Sequence, residues 1–231
     1  MKGLAYDRPG PLRHAEGGAV VMRAALLLFG AGLGVAVSPW ACRRYVTWGA
    51  TSEEATGALP GDDLLPDAGL VSTRAVTIGA GPPDVWPWLV QMGSGRGGAY
   101  TYDWMENLFG LNMHSADQIL PQFQNLAVGD TLPLGSNGPA MRVEFCDVER
   151  TLAFRSEDGA WVWIFHLRPD GAGTRLISRN RIVPPGNNRA ARALYDTVMA
   201  PVSLIMERRM LYGIKERAEG LSASTSRVPA S

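Results

Sequence analysis

Residues that commonly bind metals or form disulfides are scarce in this sequence. Its 231 residues include two cysteines, Cys42 and Cys146, and three histidines, His14, His114 and His166. The cysteines are too distant in sequence for a C-x-x-C motif, and the histidines lack the spacing of metal ligands. We therefore expect neither a disulfide scaffold nor a metal site, and no motif calls for a cofactor.

The sequence also lacks an excess of charge of either sign. Lysine and arginine together number 22, as do aspartate and glutamate, so the formal net charge is zero. This balance gives no electrostatic reason to expect binding to nucleic acid. Hydrophobic residues make up 46% of the chain and charged residues 19%, which is typical of a globular domain with a sizeable core.

One long uncharged run interrupts the globular pattern. Residues 24–40 contain no charged side chain and lie between Arg23 and Arg43. We interpret a helix over about residues 19–40 as a single-pass membrane anchor within an N-terminal segment, residues 1–44; a cleaved signal peptide and a buried soluble helix are the alternatives. More basic residues precede the run than follow it, which favours an extracytoplasmic position for the rest of the chain.

The remaining chain divides into a connector, one domain and a tail. Residues 45–69 are rich in Gly, Pro, Asp and Thr and predict a surface connector, in which Thr51 and Glu54 have the spacing of a capping box. Residues 70–219 form the predicted domain. Residues 220–231 are small and polar, and we predict a disordered tail.

Within the domain, the hydrophobic pattern changes along the chain. A strand at 72–78 precedes a helix in "PPDVWPWLVQM", where Val85, Trp88, Leu89 and Met92 have helical spacing. Short helices are predicted at 103–110 and 115–120, then strands in hairpins, one of them turning at "DG" (170–171). A final long helix is predicted within 188–219, kinked or offset at Pro201. This order predicts an α+β fold with an antiparallel sheet and its helices on one face.

The stretch "GSGRGG" contains the spacing G-x-G-x-x-G, at Gly93, Gly95 and Gly98. A dinucleotide-binding turn must follow a strand and open a helix. Here the glycines follow a predicted helix, so we expect Gly93 to end that helix in a left-handed conformation and the others to turn the loop around Arg96. We predict no nucleotide site.

Several strings resemble one known group of proteins. They are "WGATSEE", "LPGDDLLPDA", "VWPWLVQMGSGRGGAYTYDWMENLFGL", "SADQILPQFQNLAVGD" and "MERRMLYGIKERAE". They are similar to a bacterial subgroup of the SRPBCC superfamily, the START and Bet v 1-like helix-grip domains, which often carries N-terminal membrane helices. The resemblance implies a curved antiparallel sheet gripping a long C-terminal helix, with an apolar cavity between them. The superfamily includes lipid carriers, polyketide cyclases and hormone receptors, but no activity of the subgroup can be carried over to individual residues.

The candidate site residues come from aromatic clusters, a methionine stripe at helical spacing and nearby polar groups. Such residues are typical of an apolar pocket and also of ordinary core packing. We predict ligand-binding roles for Trp88, Arg96, Tyr100, Tyr102, Trp104, Glu106, Trp163, Arg179 and Met206.

Two neighbouring strands raise a further possibility. Arg175, Arg179 and Arg181 share one face of a predicted strand, and Trp161 and Trp163 share one face of its hairpin partner. If these faces coincide, they would form a cation–π ladder. The alternatives are a solvated outer face, or Arg179 pointing inward as an anchor for an anion or a carbonyl.

Three functions are consistent with these features. The favoured hypothesis is a membrane-anchored domain that binds a small hydrophobic or amphipathic ligand, lipid-like or polyketide-like, without transforming it. The second is a cyclase or aromatase-type enzyme that uses Glu106 or Tyr102 as an acid–base group. The third is a structural or partner-binding module of the cell envelope with a filled core.

The uncharged run generates the first testable prediction. Full-length protein should remain in the membrane pellet after an alkaline carbonate wash, because an apolar run of this length is costly to leave in water. Fractionation followed by immunoblotting measures this. Recovery of the intact chain in the soluble fraction would contradict the anchor.

Overall fold

A six-stranded antiparallel sheet and a long C-terminal helix form the main body of the protein. The computed structural model describes residues 39–108, 113–135, 140–184 and 199–225. The strands are β1 (Leu70–Ile78), β2 (Thr131–Pro133), β3 (Ala140–Asp147), β4 (Thr151–Ser156), β5 (Trp161–Asp170) and β6 (Gly173–Ile182). Their order across the sheet is β1-β6-β5-β4-β3-β2, so the first strand pairs with the last.

Five α-helices accompany the sheet in the described residues. They are α1 (Pro39–Val46), α2 (Ser52–Thr56), α3 (Pro82–Val90), α4 (Asp103–Leu108) and α5 (Ala200–Thr225), with 3₁₀ turns at Asp62–Leu64 and Pro121–Phe123. The antiparallel sheet with its long final helix confirms the predicted α+β helix-grip architecture. The hairpin predicted at "DG" is also confirmed, because Asp170 pairs with Gly173 across a two-residue turn.

Helix α5 packs with one apolar face against β1 and α3. Met210, Leu211, Ile214 and Ala218 are almost fully buried along this face, at the spacing of helical turns. The described part of this helix begins at Ala200, and the residues directly before Met199 are outside the described ranges, so the predicted kink or offset at Pro201 stays a prediction. The described part runs to Thr225, so residues 220–225, which were placed in the predicted tail, are helical. Residues 185–198 and 226–231 lie outside the described residues.

The helix that precedes the glycine loop follows its predicted apolar spacing, because Val85, Trp88 and Leu89 are buried. It starts directly after Gly81, with prolines in its first two positions. Pro87 is therefore inside the helix, where it has no N–H to donate.

Of the two short helices predicted next, the first is confirmed by α4 and the second is wrong. Residues 115–120 form no helix. Ser115 instead donates its backbone N–H and its hydroxyl to the carboxylate of Asp103, at 2.9 and 2.6 Å. Ser115 is therefore held by a residue twelve positions away, and the spacing of residues 115–120 does not reveal this contact.

The connector is ordered and contains the predicted capping box. The backbone N–H of Glu54 donates to the Thr51 hydroxyl at 3.1 Å, and the backbone N–H of Thr51 donates to the Glu54 carboxylate at 2.8 Å. Leu65 packs on Val162 and Ile164 of the sheet. Within the described residues, no helix combines the length and the apolar character needed to cross a bilayer. The predicted anchor lies outside those residues up to position 38, so it stays a prediction.

The glycine-rich loop folds back on itself after α3. Gly93 and Gly98 exchange backbone hydrogen bonds of 2.9 and 3.1 Å, and Gly93 has a φ of +121°. The positive φ predicted for Gly93 is confirmed, but α3 already ends at Val90 with Gln91 as its C-cap, so Gly93 belongs to the turn after the helix. Arg96, at the tip, donates to the carbonyl oxygens of Val90 and Met92 at 2.8 and 3.1 Å, which satisfies acceptors at the end of α3.

Two glycines of this loop provide a matched stability test. Gly95 and Gly98 have φ values of +70° and +75°, but a Cβ on Gly95 would meet nothing within 4 Å, whereas one on Gly98 would lie 2.6 Å from the His114 carbonyl oxygen. Gly95→Ala should cost about 1–2 kcal/mol through the left-handed backbone alone. Gly98→Ala should cost clearly more, as measured by thermal denaturation. Equal losses would contradict the close approach of residues 98 and 114.

Candidate ligand-binding cavity

A cavity of about 410 Å³ lies between the sheet and the first half of α5. Trp161 and Trp163 of β5 contribute aromatic surface, and α5 contributes Met206 and Met210. Strands β1 and β6 and the chain at residues 99–101 supply most of the rest. Volumes of roughly 300–1,000 Å³ are usual for sites that hold small molecules, so the space is adequate for one.

The aromatic wall is fixed by stacking and by hydrogen bonds. The Trp161 and Trp163 rings stack with centroids 5.7 Å apart, and Trp163 contacts Phe165 at 4.8 Å. Trp161 Nε1 donates to the Asn180 side-chain oxygen at 2.8 Å, and Trp163 Nε1 donates to the Ser178 hydroxyl at 3.0 Å. Both indole N–H groups therefore have hydrogen-bond acceptors in the protein. The surface that the two rings contribute to the cavity is apolar.

A buried ion pair joins β1 to α5 at the edge of this cavity. Arg74 is 1% exposed and Glu207 is 7% exposed, and the guanidinium Nη1 donates to the carboxylate. Arg74 Nε donates to the Tyr45 carbonyl at 3.0 Å, and Nη2 donates to the Ser203 hydroxyl at 2.9 Å. All three guanidinium nitrogens thus have protein acceptors.

The carboxylate of Glu207 is held from several sides. Ser178 donates its hydroxyl at 2.6 Å, and the Asn180 amide lies 3.2 and 3.3 Å from the two carboxylate oxygens. Burial raises the pKa of Glu207, while Arg74 and the Ser178 hydroxyl oppose that rise. The residues that orient the tryptophan rings therefore also orient the ion pair.

One polar atom on the cavity lining has no such partner. The Thr101 hydroxyl is buried and makes no hydrogen bond to any described residue. A buried hydroxyl without a partner carries a desolvation penalty that a bound polar group would remove. Because this hydroxyl has almost no accessible surface, a ligand would reach it only after the Thr101 side chain rotated towards the cavity.

Two of the predicted site residues line the cavity, Trp163 and Met206. Met199 and Met210, the other members of the predicted methionine stripe, line it as well. The stripe therefore includes residues that face open space, and it is not confined to the packed core.

The structure places Trp88 and Tyr100 in the packed core, outside this lining. The Tyr100 hydroxyl donates to the Trp88 carbonyl at 3.0 Å, and the two rings meet edge to face at 6.0 Å. Burial raises the pKa of the Tyr100 hydroxyl, so it remains a neutral donor.

Tyr102 and Trp104 are not brought to the cavity either. They are 37% and 67% exposed, respectively. Glu106 lies in α4, and its side chain is outside what the structure describes. Of the two alternative acid–base groups, Tyr102 therefore lies away from the cavity, and Glu106 stays a prediction.

The two arginines predicted as anchors stabilise other parts of the protein. Arg96 stacks over the Phe123 ring at 4.4 Å, in addition to its bonds to the end of α3. Arg179 is only 2% exposed, but it donates to the Asp62 carboxylate at 2.6 Å and to the Glu54 carbonyl at 2.6 Å. It attaches the connector to the sheet and does not reach the cavity lining.

The strand register explains the position of Arg179 and excludes the cation–π ladder. Trp163 lies opposite Asn180, while Arg179 lies opposite Ile164. Because residues directly opposite share a face and neighbours alternate, the tryptophans and the arginines are on different faces of the sheet. The hypothesis of an Arg–Trp ladder was wrong.

The connector is held on the arginine face by two carboxylates. Glu54 pairs with Arg168 and Arg175 at 2.9 and 2.8 Å, and Asp62 pairs with Arg179 and Arg181 at 2.6 and 3.3 Å. The hydrogen bond from Arg175 holds the pKa of Glu54 at about 2, against the opposing effect of burial. The predicted solvated face is thus covered.

The sequence interpretation missed the polar residues of the described lining, which are Ser72, Arg74, Thr101, Asn180, Ser203 and Glu207. One signal was present. Glu207 falls on the buried stripe of α5, three and four residues before Met210 and Leu211. A carboxylate on an otherwise apolar helix face implies a buried cationic partner, and Arg74 is a cation within a strand otherwise rich in β-branched residues.

The ion pair generates a stability prediction. Arg74→Met should destabilise the protein by about 3–5 kcal/mol, because it leaves the Glu207 carboxylate buried without its cation. The double variant Arg74→Met/Glu207→Leu should recover most of that loss. Chemical denaturation measures both. As a control, Arg209→Met breaks an exposed pair with Glu216 and should cost less than about 1 kcal/mol. A double variant as unstable as Arg74→Met would contradict the interpretation.

No family model matches the chain, and no curated protein matches it in sequence. Among solved structures, 105 chains match. The KanY protein is 16% identical and has a TM-score of 0.44, covering 65% of this chain and 98% of its own. An Aha1 dimer from Colwellia psychrerythraea is 13% identical, with a TM-score of 0.40 and coverage of 65% and 96%. A polyketide-cyclase-like protein from Corynebacterium glutamicum is 16% identical, with a TM-score of 0.33 and coverage of 68% and 91%. By its own strand order and its C-terminal helix, the chain has the helix-grip architecture that its resemblance to the SRPBCC superfamily implied.

Proposed function

We propose that the protein binds a small hydrophobic or amphipathic molecule in the cavity between the sheet and α5, and does not transform it. The observation that carries the proposal is the open, largely apolar space of about 410 Å³ beside the stacked Trp161 and Trp163 rings. A core that served only for stability would be packed closely and would leave few voids larger than a water molecule. The space therefore supports ligand binding over a purely structural module.

The polar groups of the cavity support binding more than catalysis. A general base needs a free lone pair within reach of the proton that it removes. Both oxygens of Glu207 already accept hydrogen bonds from Ser178, Asn180 and Arg74. Glu207 is better suited to shape the site than to exchange protons with a substrate.

The proposal includes attachment to a membrane through residues 19–40. A cavity that holds a lipid-like molecule gains access to its ligand when the domain stays close to a bilayer. The uncharged run and its flanking arginines support this part of the proposal.

Filling the cavity should abolish binding. Met206→Trp adds a large ring on the lining, so it should prevent an uncharged apolar dye from quenching tryptophan fluorescence. The thermal midpoint should change little, because overpacking costs about 1–3 kcal/mol only where a core is already full.

Ile205→Trp is the matched control, since Ile205 is an exposed neighbour on the same helix. It should leave dye binding unchanged. A wild-type protein that binds no dye, together with a large loss of stability in Met206→Trp, would overturn the proposal in favour of a filled core.

A further inference from the structure

We propose that the cavity selects uncharged amphipathic molecules and rejects carboxylates and other anions. This inference rests on the proposed function and names the class of ligand. It follows from how the charges and hydrogen-bond donors of the lining are already used.

The charges on the described lining cancel. Arg74 and Glu207 are its charged residues, and they form a direct ion pair. An anionic head group that approached Arg74 would also approach the Glu207 carboxylate. Attraction and repulsion would then nearly offset each other in a medium of low dielectric constant.

The donors of Arg74 offer an anion little compensation. Three of the five N–H groups of its guanidinium donate to Tyr45, Glu207 and Ser203, and its charge is already paired with Glu207. The Asn180 amide is likewise turned towards Glu207. A carboxylate entering the cavity would lose its hydration without gaining a dedicated partner, and burial of an unpaired charge is strongly unfavourable.

A ligand with an uncharged hydroxyl or carbonyl group has a potential hydrogen-bond partner in Thr101. The Thr101 hydroxyl is buried, has no described hydrogen-bond partner and can both donate and accept. Rotation of the Thr101 side chain towards the cavity would bring this hydroxyl to the ligand, and one hydrogen bond would then satisfy both groups. The rest of such a ligand would contact Trp161, Trp163 and the methionines of α5.

The test compares two probes with the same chain, decanol and decanoate, at pH 7.5. Each competes with the uncharged dye N-phenyl-1-naphthylamine for the purified full-length protein. Met206→Trp protein, prepared identically, corrects for dye that partitions elsewhere. Decanol should displace the dye at a concentration at least about tenfold lower than decanoate does. Decanoate should displace the dye at lower concentrations as the pH falls towards the pKa of decanoic acid, because protonation removes the charge.

Two variants locate the origin of the selectivity. Glu207→Gln removes the neutralising carboxylate, so the affinity for decanoate should rise at least about tenfold relative to the affinity for decanol. Thr101→Val removes the free hydroxyl, so the affinity for decanol should fall several-fold while the affinity for decane stays unchanged. If Glu207→Gln fails to fold, the comparison of decanol with decanoate in the wild-type protein and the Thr101→Val result still test the selectivity.

The outcomes separate the two proposals. Failure of the wild-type protein to bind the dye would overturn the proposed function. Binding of the dye together with equal affinity for decanol and decanoate would leave the proposed function standing and overturn the selectivity.

Discussion

The buried ion pair between Arg74 and Glu207 is the interaction on which the site depends. It joins the first strand of the sheet to the last helix, residues that are 133 positions apart in the chain. A pair of this kind is tolerated only when its remaining donors and acceptors are satisfied. Here Ser178, Asn180 and Ser203 satisfy them, and two of these residues also fix the tryptophan rings. The helix is therefore tied to the sheet at a point that leaves space beside it.

Strand β6 shows how one segment can serve two purposes. Its residues alternate between the two faces of the sheet, as in any strand. Ser178 and Asn180 support the ion pair on the helix side. Arg179 and Arg181 bind Asp62 of the connector on the other side. The same alternation thus sets the polarity of the cavity on one face of the sheet and attaches the connector to the other face.

Sequence patterns were sufficient for the architecture where local chemistry decides the structure. The capping box at Thr51, the positive φ of Gly93 and the hairpin turn between Asp170 and Gly173 depend on residues close in the chain. The extent of α5 was less predictable, because helix ends depend on packing as well as on composition. The placement of Ser115 depended on a carboxylate twelve residues away.

The site was harder to predict, because it depends on register and on long-range pairing. A buried arginine was correctly considered at position 179, yet register directs that side chain to the connector and makes Arg74 the arginine of the cavity. Aromatic residues at 88, 100 and 104 share their composition with true lining residues, so composition cannot separate core, surface and pocket. Of the predicted residues whose side chains the structure describes, only Trp163 and Met206 belong to the lining.

Native mass spectrometry of the full-length protein tests the central claim, ligand binding in the cavity, most directly. The protein would be incubated with a lipid extract and then sprayed under gentle conditions. We predict one bound molecule per chain, uncharged after release, and its absence from Met206→Trp protein treated in the same way. A bare chain mass after incubation would contradict the claim, as would an adduct that Met206→Trp retains unchanged.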